Sequence, residues 1–217
     1  CGDRRSPPSG AGNRAAIARQ VCQVGFWIVA AQAGIALAMG IPGKGVMGLV
    51  GPEFVGGTGA LAFLLAAEVV AATAVVSEAA LVYVARLRNL AISLATFALQ
   101  AGLTVAGILL VERLGLGQLY RAAAAAAALM LALGVASLAK AWLLARILEE
   151  PVNNWRWPLL AAAAPAVIVG TVMTTYLPEW AGLAFGVPAI LFTYGWVIWR
   201  YGFGPEDRVL FRKNVGG

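Results

Sequence analysis

The chain has 217 residues, 61% of them hydrophobic and only 12% charged, with no histidine at all. A soluble domain is about 45–50% apolar and about 25% charged, and one of this size could not hide so much apolar surface behind a polar exterior. A mean hydropathy of +0.82 makes lipid the solvent for most of the chain. The missing imidazole excludes a histidine general base, His-ligated zinc or haem, and a Ser-His-Asp triad. Cys1 and Cys22 are too few for a thiolate metal site and are read as two free thiols. No catalytic residue, metal or cofactor is expected, and the net charge of +6 is read as charge that orients a membrane protein rather than as a nucleic-acid patch.

In chain order, residue 1 is Cys rather than Met, so the chain is read as a piece of something longer. A lipid-modified mature N-terminus is the lesser alternative, because it would place Arg4, Arg5, Arg14 and Arg19 outside. Residues 1–16 are polar and rich in Pro, Gly and Ser, which predicts a disordered cytoplasmic segment. A membrane domain follows over 17–200, with apolar stretches of about 20 residues, the length that spans a bilayer. They are placed at 20–41, 59–84, 90–111, 120–144, 157–176 and 181–199. A Gly/Pro-rich connection from Ile41 to Phe54 separates the first two, and Leu177-Pro178-Glu179 joins the last two. Unpaired backbone groups are not tolerated in hydrocarbon, and nothing alternates like a barrel strand. The expected fold is therefore all-α, a polytopic bundle of six transmembrane helices.

Charge sets the orientation. With the N-terminus inside, Arg4, Arg5, Arg14, Arg19, Arg86, Arg88, Lys140, Arg146, Arg156, Arg200, Arg208, Arg212 and Lys213 fall on the inner side, and Lys44, Arg113 and Arg121 on the outer. Thirteen against three in short loops predicts both termini cytoplasmic. Trp155, Trp157 and Trp199 then mark the inner interface and Trp180 the outer.

Within the spans, Ala122 to Ala128 form an unbroken alanine run. Ala123, Ala127, Gly134 and Ser137 supply the small-residue spacing that lets helices approach in lipid. Pro165 and Pro188 interrupt the last two spans, and Pro165 is the candidate hinge. Three charges stand where lipid should be: Glu68 near the midplane, Glu78 ten residues further along the same helix, and Lys140 at a similar depth to Glu78. Such charges normally face a cavity or a partner. Glu68 and Glu78, about 80° apart around the helix, are expected to look into one side of the bundle. Lys140 either pairs with Glu78 or snorkels to the headgroups. Gln32, Gln100, Thr104, Thr174 and Thr175 are expected as helix–helix hydrogen-bond partners. Residues 201–217 read as a cytoplasmic tail with a short interfacial helix from Pro205, resting on anionic lipid.

Several of these features together resemble the C-terminal half of bacterial polysaccharide flippases, the lipid-linked oligosaccharide exporters of the multidrug/oligosaccharidyl-lipid/polysaccharide superfamily. The resemblance rests on Ile17-Ala18-Arg19-Gln20 opening a span, Gly51-Pro52-Glu53-Phe54 leading into the next, and Glu78-Ala79-Ala80-Leu81-Val82-Tyr83 before the basic turn Arg86-Leu87-Arg88-Asn89. Gly115-Leu116-Gly117 before an Ala-rich helix and the closing Gly204-Pro205-Glu206-Asp207-Arg208 complete it. It implies one six-helix lobe of a two-lobe transporter in a bacterial inner membrane, with an N-terminal lobe as missing partner. It further implies alternating access that carries an undecaprenyl-pyrophosphate-linked oligosaccharide outward for polysaccharide or lipopolysaccharide biosynthesis. Glu68, Glu78 and Lys140 are the candidate pathway residues. Apart from Arg121 at the very start of the fourth, the spans hold one Lys and no Arg, so most of a basic cavity would come from the absent lobe. A multidrug or cation antiporter of the same superfamily and a six-span accessory subunit are the alternatives. An enzyme of lipid or glycan assembly is not expected, because the chain has only Asp3 and Asp207, both in its tails, and no His.

Overall fold

The computed structural model describes residues 9–153 and 155–202. The expected interfacial helix beyond Pro205, and Cys1, lie outside the described residues. Among those described there is no strand, and six helices are long and apolar enough to cross a bilayer. The chain is an all-α helix bundle built as a multi-pass membrane protein.

The first helix, α1, runs Ser9–Gly40. It starts earlier than the sequence reading placed it, so residues 9–16 form its opening turns instead of a separate polar segment. Arg14 in those turns meets Glu149 at 3.2 Å, an exposed pair worth little by itself but one that ties the start of α1 to the end of a later helix. The Gly/Pro-rich connection is likewise ordered. It forms a short helix α2 (Gly43–Val50) and a 3-10 turn over Pro52–Gly57. Glycine serves close approach here: a Cβ on Gly43 would stand 2.8 Å from Thr58 Cγ2, and one on Gly45 would stand 3.0 Å from Leu183 Cγ.

The remaining spans are α3 (Thr58–Val84), α4 (Arg86–Arg113), α5 (Gln118–Leu148) and α6 (Trp157–Tyr176), then a last helix over Glu179–Gly202. α3 and α5 form the most extensive interface. α4 leans on α5, and α1 lies against the other flank of α3. α1, α6 and the last helix enclose one core around Phe26, Val29, Ala162, Ala166 and Ile190. A second core, around Leu81, Leu143, Leu144 and Leu148, joins α3 and α5 near one end.

The alanine run does pack. On α5 the buried positions repeat every four residues as Ala128, Ala132, Ala136, Lys140, Leu144 and Leu148, one face of a helix. Small side chains along its first half let α3 come close enough for Ser137 Oγ to donate to the Val70 carbonyl at 2.7 Å. On the α4 side, a Cβ added to Gly107 would lie 3.3 Å from Ala124 Cβ.

The two intramembrane prolines behave differently. α6 passes through Pro165 as continuous helix, with Ala162 and Ala166 fully buried on either side. Pro188 follows a π-helical stretch, Gly182–Gly186. A proline ring collides with the carbonyl four residues back, here that of Ala184, and the wider π turn makes room for it.

Candidate functional site

α3 carries two of the three intramembrane charges, and its 27 residues extend about 40 Å at 1.5 Å per residue. That exceeds the roughly 30 Å hydrocarbon layer, so both ends reach headgroup depth. Glu68 lies three residues, or about 5 Å, from the helix midpoint at Ala71. Glu78 lies six residues, or about 9 Å, from the end at Val84.

Glu78 accepts a hydrogen bond from the Lys140 ammonium of α5 at 2.7 Å. The Lys140 side chain is only 7% exposed while that of Glu78 is 43% exposed, so the lysine is buried and the carboxylate half-open. Pairing therefore prevails over snorkelling. The Asn89 side chain, in the first turns of α4, lies within reach of the Glu78 carboxylate. One carboxylate thus stands where α3, α4 and α5 meet. Asn89 is itself buried, and its Oδ1 has no partner among the described residues; the same holds for Ser77 Oγ and Tyr194 Oη. Asn89 went unnoticed in the sequence because helix geometry breaks at Ala85 (φ −151°, ψ 51°). No periodicity connects positions 78 and 89 across that break.

Glu68 is not brought to this cluster. It is exposed, and so are Leu64, Val75, Ala79 and Val82, which together occupy an arc of about 60° on α3 at 100° per residue. The expectation that Glu68 and Glu78 share one side of the bundle is corrected. The 80° between them suffices to turn Glu78 onto α5 while Glu68 is left on an exposed face of α3. The stripe carrying Glu68 lies uncovered between the faces taken by α1 and α5.

A second feature lies elsewhere on α3. A groove of about 440 Å³ opens between α1, α3 and α6, lined by Val29, Leu37, Leu65, Val69, Trp155 and Leu159 among others and by no charged residue. Its face is roughly 130° around α3 from Glu68, so the two do not form one site. Chemically it suits a hydrocarbon chain. Trp155 Nε1 donates to Thr73 Oγ1 at 3.2 Å, fixing the indole against α3. The threonines of α6 are not interhelical partners as expected. Thr174 and Thr175 donate to carbonyls of their own helix, at Gly170 (3.0 Å) and Thr171 (2.7 Å), as does Thr171 to Val167. A hydroxyl facing lipid is satisfied this way without a neighbour.

One end of the bundle is distinctly basic. Arg86, Arg88, Arg146, Arg156 and Arg200 gather there with Trp155, Trp157 and Trp199. Arg146 lies over the Trp142 ring at 5.3 Å and Arg156 over Phe26 at 4.7 Å, a favourable placement of guanidinium on an aromatic face. At the opposite end Arg121 pairs with Glu112 at 3.5 Å. Against this geometry, comparison with protein-family models, curated proteins and solved structures finds no match to the chain.

Proposed function

We propose that the chain is one lobe of a transporter that moves an undecaprenyl-pyrophosphate-linked oligosaccharide across a bacterial cytoplasmic membrane by alternating access. The basic end faces the cytoplasm. The observation that carries this reading is Glu68, a carboxylate near mid-membrane on a helix face that is exposed among the described residues. A charge at that depth facing acyl chains costs several kcal/mol. A face that keeps it is one that meets water in a cavity or a second lobe. Six spans with a basic end, and the resemblance of the turn residues to the C-terminal half of polysaccharide flippases, give the cavity its expected cargo. Glu68 provides the group that exchanges a proton or cation as the cavity opens to either side. The Glu78–Lys140–Asn89 cluster lies off that path, where three helices meet. Pro165 remains the proposed hinge, set between tightly packed alanines.

The same placement of Glu68 suits a drug or cation antiporter, so the substrate decides between them. The test is transfer of a lipid-linked oligosaccharide in vesicles, with and without an imposed pH or sodium gradient, using the protein expressed from its full reading frame. Glu68→Gln preserves shape and removes the charge. It is expected to fold normally and to lose gradient-driven transfer, while Glu53→Gln near the start of α3 changes little. Wild-type transfer in Glu68→Gln would remove this residue from the mechanism. No transfer by the wild type, with gradient-driven efflux of an organic cation, would favour the antiporter, and neither activity would favour an accessory subunit.

A further inference from the structure

The geometry points to a binding site for an anionic glycerophospholipid where α3 turns into α4. A cleft of about 500 Å³ opens there, walled by the consecutive residues Val84, Ala85, Arg86, Leu87 and Arg88 and, across it, by Ile147 of α5. Arg86 and Arg88 are both exposed, and among the described residues neither makes an ion pair or a side-chain hydrogen bond. Their neighbours at this end are engaged. Arg146 and Arg156 cover aromatic rings, and Glu149, at the end of the same α5 as Ile147, is taken by Arg14. Among the described residues, therefore, two guanidiniums line one cleft without an ion-pair partner.

The depth is that of the headgroups, since α3 outruns the hydrocarbon layer. The flanks are apolar and open: Tyr83 is 93% exposed and Leu87 81%. α4 rises from the cleft with only Asn89 and Val111 buried along its length. A phosphodiester fits the fork of an arginine by two parallel hydrogen bonds, and acyl chains attached to it would run along the bare wall of α4. A free phosphate would satisfy the arginines but leave that wall uncovered. The assignment depends on the chain spanning a membrane and not on any transport activity or on which leaflet the basic end meets.

The experiment uses the intact protein in detergent, titrated with phosphatidylglycerol or phosphatidylcholine, with retained lipid counted by native mass spectrometry. Wild type is expected to retain phosphatidylglycerol in preference to phosphatidylcholine. Arg86→Gln/Arg88→Gln is expected to weaken phosphatidylglycerol retention about ten- to thirty-fold, the effect of two basic residues at a membrane surface. Arg113→Gln, at the other end of α4, is expected to change it less than about twofold. Should the double glutamine variant not fold, Arg86→Lys/Arg88→Lys keeps the charge and loses the fork, and a loss of a few-fold is expected. Retention unchanged in every Arg86/Arg88 variant that folds, or equal loss in Arg113→Gln, would overturn the site. Displacement of the lipid by millimolar inorganic phosphate would overturn the lipid assignment in favour of a phosphate site.

Discussion

The Glu78–Lys140 contact makes an asymmetric prediction that follows from exposure alone. Glu78→Gln leaves an ammonium that is 7% exposed without its counter-charge, and breaking a buried pair from that side costs about 3–5 kcal/mol. Lys140→Met leaves a carboxylate that is 43% exposed. Solvent or headgroups relieve most of that loss, and a cost of about 1–2 kcal/mol is expected. The double variant Glu78→Gln/Lys140→Met removes both charges and should be more stable than Glu78→Gln, with a coupling of about 2–3 kcal/mol that exceeds the cost of Lys140→Met alone. For a chain of 217 residues each kcal/mol shifts the midpoint by about 2–4 °C, so Glu78→Gln should melt about 6–20 °C below wild type, and the double variant should recover a few degrees. Thermal unfolding of the four proteins in one detergent measures this. Additive effects, or a larger loss for Lys140→Met than for Glu78→Gln, would mean that the pair does not hold α3 to α5 in the way described.

Other expectations concern packing and topology. A Cβ on Gly170 would lie 2.8 Å from Ile190 Cδ1 and 2.9 Å from Ile41 Cγ2, so Gly170→Val should destabilise by about 1–3 kcal/mol through overpacking. Gly102→Ala, where nothing stands within 4 Å, should be neutral or stabilise by up to about 1 kcal/mol; the same thermal assay reads both. Ser137→Ala removes the bond to the Val70 carbonyl and should cost about 0.6 kcal/mol, the average for such contacts in membrane bundles. Cysteine at position 44 should react with an impermeant reagent from outside the cell and cysteine at 88 only from the cytoplasm. The reverse pattern would overturn the orientation.

Hydropathy located the spans because bilayer thickness imposes a length that composition alone reveals. The fifth span begins at Trp157 and ends at Tyr176, as its apolar stretch indicates. Where the reading fell short, residue type misled for physical reasons. Glycines at 43 and 45 suggested an irregular loop, yet they are small so that Thr58 and Leu183 can approach them. Threonines suggested partners across helices, yet a hydroxyl in lipid finds its own helix carbonyl first. That Glu78 and Lys140 could meet was foreseeable from depth, because both sit near the same end of antiparallel helices, although depth left snorkelling of Lys140 equally open. That Glu68 stands apart from them was not, since helical angles fix the rotation between two residues but not which arc the neighbouring helices leave open.

Whether that open arc meets water is the question on which the transport reading depends, and cysteine scanning along α3 answers it. With the native cysteines replaced by serine, single cysteines at positions 64, 68, 75 and 79 probe the uncovered stripe. Positions 67, 74 and 81, all buried, serve as internal references. In membranes containing the protein expressed from its full reading frame, a water-soluble maleimide is expected to label 68 and its neighbours on the stripe and to leave 67, 74 and 81 unmodified. Labelling with this helical spacing would place an aqueous pathway along the face that carries Glu68. A stripe as unreactive as the buried references, with position 53 still labelled, would mean that the face is sealed by lipid or protein and would contradict the account.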